Sequence, residues 1–279
     1  MTPGPAPRVP WRLVTDDEPF SGAWNMALDR AVQLAHANGT SPPTLRLYGW
    51  ARPTLTLGRF QHTESVRLDA CRESGVDVVR RFTGGRGVLH DDEVTYSIVA
   101  GVADGVPRST AASYRMLCGA LVRAYSCLGV PAELTARPRG RRDSAACYLH
   151  ATHADLSLGA RKLSGSAQVW LQETVLQHGS IVLSRDIGLE GRILGLTADD
   201  ERALAAATIT VAGAIGEPPS SDQVRTALIG GVTGALGVLL EPGSYSPWEL
   251  ECARGLLGEV AIQGDRGPGP CGDTSIRVE

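Results

Sequence analysis

Lysine is nearly absent from this sequence of 279 residues: of its 27 basic side chains, Lys162 is the single lysine and the rest are arginine. Arginine stays charged at any ordinary pH, whereas a lysine ammonium shifts its pKa on burial and can exchange a proton. A lone lysine has two readings, a residue left over by compositional bias or a group kept for its chemistry. Its neighbours, Arg161-Lys162-Leu163-Ser164-Gly165-Ser166-Ala167-Gln168, have to decide between them.

Paired cysteine motifs are missing too. The six cysteines (71, 118, 127, 147, 252 and 271) include no Cys-x-x-Cys knuckle, and a chain of this length needs no dense disulfide framework. Cys118 and Cys127 fall in a helical pattern with Leu117, Leu121 and Val122 and read as small core hydrophobes, as do Cys71 and Cys252. Cys271 lies in a Gly/Pro-rich tail and has no assigned role.

Excess positive charge is also lacking. A formal charge of −3 excludes a general nucleic-acid binder, which needs a basic face to release counterions. The basic cluster Arg137, Arg139, Arg141 and Arg142 reads first as a solvated loop and second as a dock for an acidic protein. The longest uncharged apolar run, Thr226 to Leu240, holds four glycines and is too short to span a bilayer. The opening Met1-Thr2-Pro3-Gly4-Pro5-Ala6-Pro7 lacks the basic-then-apolar order of a signal peptide. The expectation is a cytoplasmic protein with no membrane or nucleic-acid partner.

What is present is enough apolar sequence, 43%, to bury a large core. Residues 1–10 and 263–279 read as flexible termini, with a single catalytic-type domain over 11–262. Ser21 N-caps a helix reaching Ala37, with Gly39 as its stop. β-type runs follow at Thr44–Tyr48, Thr54–Arg59, Asp77–Phe82 and Thr95–Ala100, with a helix from His62 to Glu73 between the second and third. A helix over Thr110–Cys127 precedes β-type runs at Ala154–Leu158, Lys162–Trp170 and Thr174–Ser184, the last two forming a hairpin.

The pattern then becomes helical. Ala198–Ala207, Asp222–Leu236 behind a Ser220/Gln223 capping box, and Pro247–Leu257 behind a Ser246/Glu249 box surround a short strand, Val238–Glu241. Residues 198–262 thus read as a small helical subdomain. The mixed order predicts an α+β fold with a mixed, largely antiparallel sheet flanked by helices.

Besides the stretch around Lys162, three segments carry chemistry. In Arg80-Arg81-Phe82-Thr83-Gly84-Gly85-Arg86-Gly87-Val88-Leu89-His90-Asp91, three glycines let the backbone approach a ligand and point N–H groups at an oxyanion. The loop matches neither a P-loop nor Gly-x-Gly-x-x-Gly, and a plain glycine turn is its bland reading. Cys147 stands fifteen residues before Lys162; a cation near a thiol lowers its pKa and makes it a nucleophile. Cys147, His150 and His153 recur every third residue, yet no fourth zinc ligand clusters elsewhere, so no metal is expected. In Leu176-Gln177-His178-Gly179-Ser180, Gly179 suggests a close backbone approach and His178 is a packed sheet residue or a pocket residue.

Together these segments resemble the biotin/lipoate protein ligase superfamily from about Trp11 to at least Ser184. The resemblance rests on Trp24-Asn25-Met26-Ala27-Leu28-Asp29, Leu45-Arg46-Leu47-Tyr48-Gly49-Trp50, Arg80-Arg81-Phe82-Thr83-Gly84-Gly85, His90-Asp91, Thr95-Tyr96-Ser97 and Lys162-Leu163-Ser164-Gly165-Ser166-Ala167-Gln168. It implies a mixed sheet flanked by helices and a tunnel for an eight-carbon acyl or lipoyl chain. Cys147 before Lys162, and the loop form Thr83-Gly84-Gly85-Arg86-Gly87, are similar to the octanoyltransferase branch.

That branch implies transfer from octanoyl-acyl carrier protein through a cysteine thioester to a lysine of a lipoyl domain such as glycine-cleavage H protein, without cofactor. The implied catalytic pair is Cys147 and Lys162. The implied substrate-binding set is Arg80, Thr83, Gly84, Gly85, Gly87, His90, Gly165, Ser166, Ala167, His178 and Gly179. His150 or His153 would assist proton transfer. The rival branch is an ATP-dependent lipoate ligase, which needs no cysteine, and a non-catalytic binder of acylated partners is the third reading.

Overall fold

The structure is a computed structural model that describes residues 10–135, 139–140, 150–151 and 155–264. Along the chain, β1 (Trp11–Thr15) precedes α1 (Gly22–Ala37), β2 (Thr44–Tyr48), β3 (Thr54–Leu57), α2 (Leu68–Glu73), β4 (Asp77–Arg80), β5 (Val88–His90) and β6 (Glu93–Gly101). Next come α3 (Thr110–Cys127), β7 (Glu133–Leu134), β8 (Arg139–Gly140), β9 (His150–Ala151), β10 (Leu156–Leu158), β11 (Arg161–Ser164), β12 (Ser166–Leu171) and β13 (Thr174–Val182). The C-terminal part adds α4 (Ile187–Leu194), α5 (Ala198–Ala207), α6 (Val211–Ile215), α7 (Ser221–Leu236), β14 (Leu240–Pro242), α8 (Pro247–Val260) and β15 (Ala261–Gln263).

The main sheet has six strands in the order β12-β13-β6-β2-β1-β14. Pairs from β12 to β2 are antiparallel, while β2, β1 and β14 run parallel, which makes the sheet mixed and largely antiparallel. Strand residues alternate between faces. Leu45 and Leu47 of β2, with Val94, Tyr96 and Ile98 of β6, join one core with Leu117 and Leu121 of α3 and Val224 and Leu228 of α7. The opposite face carries Arg46 and Tyr48 and is covered by α1, against which α8 packs. A second sheet, β15-β4-β3-β5, and a third, β11-β10-β7, flank the main one.

The caps are those the composition announces. The Ser21 hydroxyl accepts from Trp24 N–H at the start of α1, and Ser220/Gln223 and Ser246/Glu249 close reciprocal boxes at α7 and α8. Of the C-terminal helices, α7 lies along α3 and α8 along α1, and β14 completes the main sheet.

Two expected elements come out differently. The helix expected from His62 to Glu73 is a short 3-10 turn at Thr63–Ser65 followed by α2, because Val66 is extended. Val66 is buried with Leu55 and Ile193, and Arg67 N–H donates to Ile193 O at 2.8 Å, so tertiary contacts override helical propensity. The strand expected over Lys162–Trp170 is two strands, β11 in the three-stranded sheet and β12 in the six-stranded one. The chain switches sheets at Gly165. The hairpin is therefore β12–β13, with Ser166 opposite Gly179.

Cys127, expected in the core, is the last residue of α3 and is exposed, and Cys252 is half-buried; Cys71 and Cys118 are buried.

Candidate active site

Where the three sheets meet, a cavity of about 480 Å³ opens between the α1 face of the main sheet and the glycine loop after β4. Its size is that of an ordinary small-ligand site. Met26, Tyr48, Trp50, Val88 and Tyr114 supply apolar surface, and the polar side combines the small residues Gly84, Gly85, Gly165, Ser166 and Ala167 with the charged or polar side chains of Arg81, Arg86, His90, Asp155, Lys162 and His178. An apolar stretch beside a polar wall suits a hydrocarbon chain with a polar head.

Lys162 lies in the wall of this cavity. It is 3% exposed, and its Nζ lies 3.1 Å from Asp155 Oδ2. The pairing follows from local structure: β10 and β11 form a tight antiparallel turn through Gly159, which has φ of +58°, and bring Lys162 opposite Ser157. Thr135 N–H holds the Asp155 carbonyl at 2.9 Å, and the Lys162 carbonyl accepts from Ile209 N–H at 3.0 Å. Both ends of the pair are anchored to neighbouring backbone. A β-carbon at Gly165 would stand 3.1 Å from Asp155 Oδ1 and 3.4 Å from Lys162 Nζ, so the glycine leaves room for the pair.

Gly179 makes the close approach its position suggests. A β-carbon there would come within 2.5 Å of Gly165 O. Strand β13 thus carries β12 and the 165–167 backbone directly against the cavity.

The glycine loop is organised by Arg81 rather than by Arg80. Arg81 donates to Thr56 O at 3.0 Å, to Gly84 O at 2.8 Å and to Arg86 O at 2.8 Å, and it lines the cavity. Arg80 does not line it. Its guanidinium instead donates to Gly58 O at 2.9 Å and Gln61 O at 2.7 Å. Gly85, with φ of +100°, needs a glycine. Gly84, Gly85, His90, Gly165, Ser166, Ala167, His178 and Gly179 all line the cavity, whereas Thr83 and Gly87 do not.

Thr83 acts one bond behind the wall, through His178. His178 Nδ1 is 2.9 Å from Asp29 Oδ2 and its Nε2 is 2.7 Å from Thr83 Oγ1. The Asp29 carboxylate takes the Nδ1–H of the ring and so fixes its orientation, with Nε2 facing the Thr83 hydroxyl. Asp29 also accepts from Tyr48 Oη at 3.1 Å and from the buried Arg46 at 3.0 Å. Burial works to raise the Asp29 carboxyl, but His178 and Arg46 outweigh it and hold it below the usual carboxylate range.

His90 is built the same way. Its Nδ1 is 2.7 Å from Glu93 Oε1, its Nε2 is 2.9 Å from Thr56 Oγ1, and Trp50 stacks on its ring at 4.2 Å. Glu93 Oε1 also accepts from Trp50 Nε1 and Ser180 Oγ. Burial pushes Glu93 up, and His90 with the Ser180 and Thr95 hydroxyls brings it below its ordinary value. Two buried histidine–carboxylate pairs therefore brace the floor of the cavity.

Cys147 and His153 lie outside the described residues, as do the side chains of His150 and of the arginine cluster Arg137, Arg139, Arg141 and Arg142, and Cys271. Among the described thiols, Cys118 is fully buried and burial pushes it up to about 12; Cys71 is pushed up to about 11 by the same cause. Neither is a thiolate at neutral pH. Among the described residues no group of three or more His, Cys, Asp or Glu is arranged to hold a metal ion. None of the described helices is long and apolar enough to cross a membrane.

Sequence reading had not singled out Asp155, Arg81, Thr56, Trp50 or Ser180 as site residues. Arg46 gave one usable signal, an arginine in the middle of the apolar run Thr44–Tyr48, which needs buried partners. Asn25 and Asp29, four apart on α1, supply two of them.

Residues 21–232 match the family model described as the lipoyl protein ligase A/B catalytic domain. The chain is 41% identical to the octanoyltransferase LipM of Kyrpidia tusciae over 88% of this chain and 94% of that one. It is 39% identical to the octanoyltransferase LipM of Symbiobacterium thermophilum over the same shares, 88% and 94%. Among solved structures, a lipoate-protein ligase A bound with ATP superposes with a TM-score of 0.74 at 25% identity, covering 90% of this chain and 95% of that one. A bi-partite lipoate protein ligase from Thermoplasma acidophilum, studied with its E2 lipoyl domain, gives 0.72 at 22% identity over 90% and 93% and shares the fold. The chain belongs to the lipoyl protein ligase A/B catalytic-domain family and, within it, to the octanoyltransferases.

Proposed function

We propose that the chain takes an octanoyl group from octanoyl-acyl carrier protein, holds it as a thioester on Cys147, and passes it to a lysine of a lipoyl domain, glycine-cleavage H protein being the acceptor of choice. The observation that carries this reading is the single lysine of the chain, buried in the cavity wall and paired with Asp155 at 3.1 Å. Lysine is the basic side chain that can exchange a proton at such a site, which the guanidinium used everywhere else in the chain cannot.

In the first step the Cys147 thiolate attacks the carbonyl carbon of the donor thioester. A tetrahedral oxyanion forms against backbone N–H groups of 84–87 and 165–167 and collapses to release the carrier thiol, which takes a proton from Lys162. In the second step the neutral amine of the acceptor lysine attacks the Cys147 thioester. The Cys147 thiolate leaves, an amide forms, and the proton lost by the amine returns to Lys162. Thioester to amide is downhill, so no ATP or cofactor enters. Arg80, Thr83, Gly84, Gly85, Gly87, His90, Gly165, Ser166, Ala167, His178 and Gly179 form the acyl slot and its support. The reaction belongs in the cytoplasm, in lipoate biosynthesis.

The test is a transfer assay with octanoyl-acyl carrier protein and apo H protein in the absence of ATP. Octanoylated H protein is the expected product. Modification only from free octanoate, and only with ATP, would replace this reading with the ligase one. Binding of both proteins with no change in either mass would leave a carrier function in its place.

A further inference from the structure

Phe60 is the most exposed large hydrophobic side chain among the described residues, at 80%. Single exposed apolar residues are common and need no function. Phe60 differs in how rigidly it is presented. Gln61 N–H donates to Gly58 O and Arg59 N–H to Thr83 O, each at 2.9 Å, and Arg80 clamps the carbonyls of Gly58 and Gln61 from behind. A β-carbon at Gly58 would sit 2.0 Å from Gly85 O, so this turn is packed directly on the loop that lines the cavity.

The same turn is positive. The Arg59 guanidinium lies 5.3 Å from the Phe60 ring centroid. Arg30 stacks over Phe82 at 5.3 Å and lies in the field of Arg59, with Glu259 as its acidic neighbour, while Arg59 itself points out beside Phe60. Arg86 adds a third along the cavity wall. The chain as a whole carries −3, so an acidic protein is attracted only where arginines gather. Aromatic and arginine side chains are also enriched at protein interfaces.

We propose that Arg59 and Phe60 are the docking point of an acidic carrier protein that delivers the octanoyl thioester. This rests on the transfer reading above. A carrier holds its acyl group on a long arm, so its folded surface rests on the rim while the arm enters the cavity. An acceptor lysine has a short side chain and must bring its domain to the mouth itself.

The test compares acyl-enzyme formation from octanoyl-acyl carrier protein and from octanoyl-pantetheine, in the full chain and in Phe60→Ser and Arg59→Ser. Both side chains lie outside the cavity lining. With the carrier donor, each variant raises KM about tenfold or more with kcat little changed. With octanoyl-pantetheine, rates stay within twofold of the parent, and added salt slows only the carrier reaction. Unchanged KM for the carrier overturns the proposal, and so does an equal loss on both donors. A defect confined to transfer onto the acceptor domain also overturns it and assigns the rim to that domain. Failure of the parent chain to be acylated by either donor contradicts the transfer reading instead.

Discussion

Lys162 and Asp155 form a buried ion pair, Nζ to Oδ2 3.1 Å, in a chain with no other lysine. The partner makes the lysine more than a charge. A carboxylate at this distance holds the ammonium in the cavity wall.

Lys162→Arg tests that directly. The positive charge persists while proton exchange stops, because guanidinium does not deprotonate in proteins. Acyl-enzyme formation at neutral pH is expected to fall by a factor of about 10²–10⁴, the usual worth of a positioned acid–base group. Full activity would make the singularity of this lysine an accident of composition.

Asp155→Ala leaves a buried ammonium without this carboxylate. Removing one partner of a buried pair costs about 3–5 kcal/mol, so the urea midpoint should drop sharply. The double variant Asp155→Ala/Lys162→Met should recover part of that stability without recovering activity, because no uncompensated charge remains.

Gly179→Ala places a methyl group 2.5 Å from the backbone carbonyl of Gly165, which cannot swing aside as a side chain does. Overpacking of this kind costs about 1–3 kcal/mol, and the displaced 165–167 backbone should also raise KM for the acyl donor. Thermal unfolding and donor saturation curves read the two effects separately.

Acid sensitivity follows from Asp29 and Glu93, whose carboxyls are held low by Arg46, His178 and His90 despite burial. A folded pKa below the unfolded values, about 3.9 for Asp and about 4.3 for Glu, means that the unfolded chain binds more protons in that range. Their stabilisation is complete above about pH 4 and is lost as pH falls through the folded values. Asp29→Asn should flatten the pH dependence of the urea midpoint below about pH 4 relative to the parent. An unaltered slope would show that Asp29 is not low in the folded state.

Much of this was legible in the residues. Helices α1, α3 and α5 follow from Ser21, from the apolar stripe of Thr110–Cys127 and from the run Ala198–Ala207; the glycines at 84–85, 165 and 179 mark the cavity backbone. The Asp155–Lys162 pair was not legible, because a carboxylate seven residues upstream reaches the lysine only through the turn at Gly159 and a register shift between Leu156 and Ser157. The switch of sheets at Gly165 was hidden in a continuous β-type pattern, since both halves pair, but with different partners. That Arg81 and not Arg80 lines the cavity was not legible, because alternate residues point to opposite faces and only the structure says which face is the cavity.

The most direct measurement is intact-mass analysis of the enzyme after incubation with octanoyl-acyl carrier protein. The parent chain should gain the mass of one octanoyl group, and Cys118→Ala should gain it equally, since that thiol is buried and pushed up to about 12. Cys147→Ala should gain nothing. An octanoyl adduct that persists in Cys147→Ala, or transfer to a lipoyl domain by that variant at the parent rate, would contradict the thioester route.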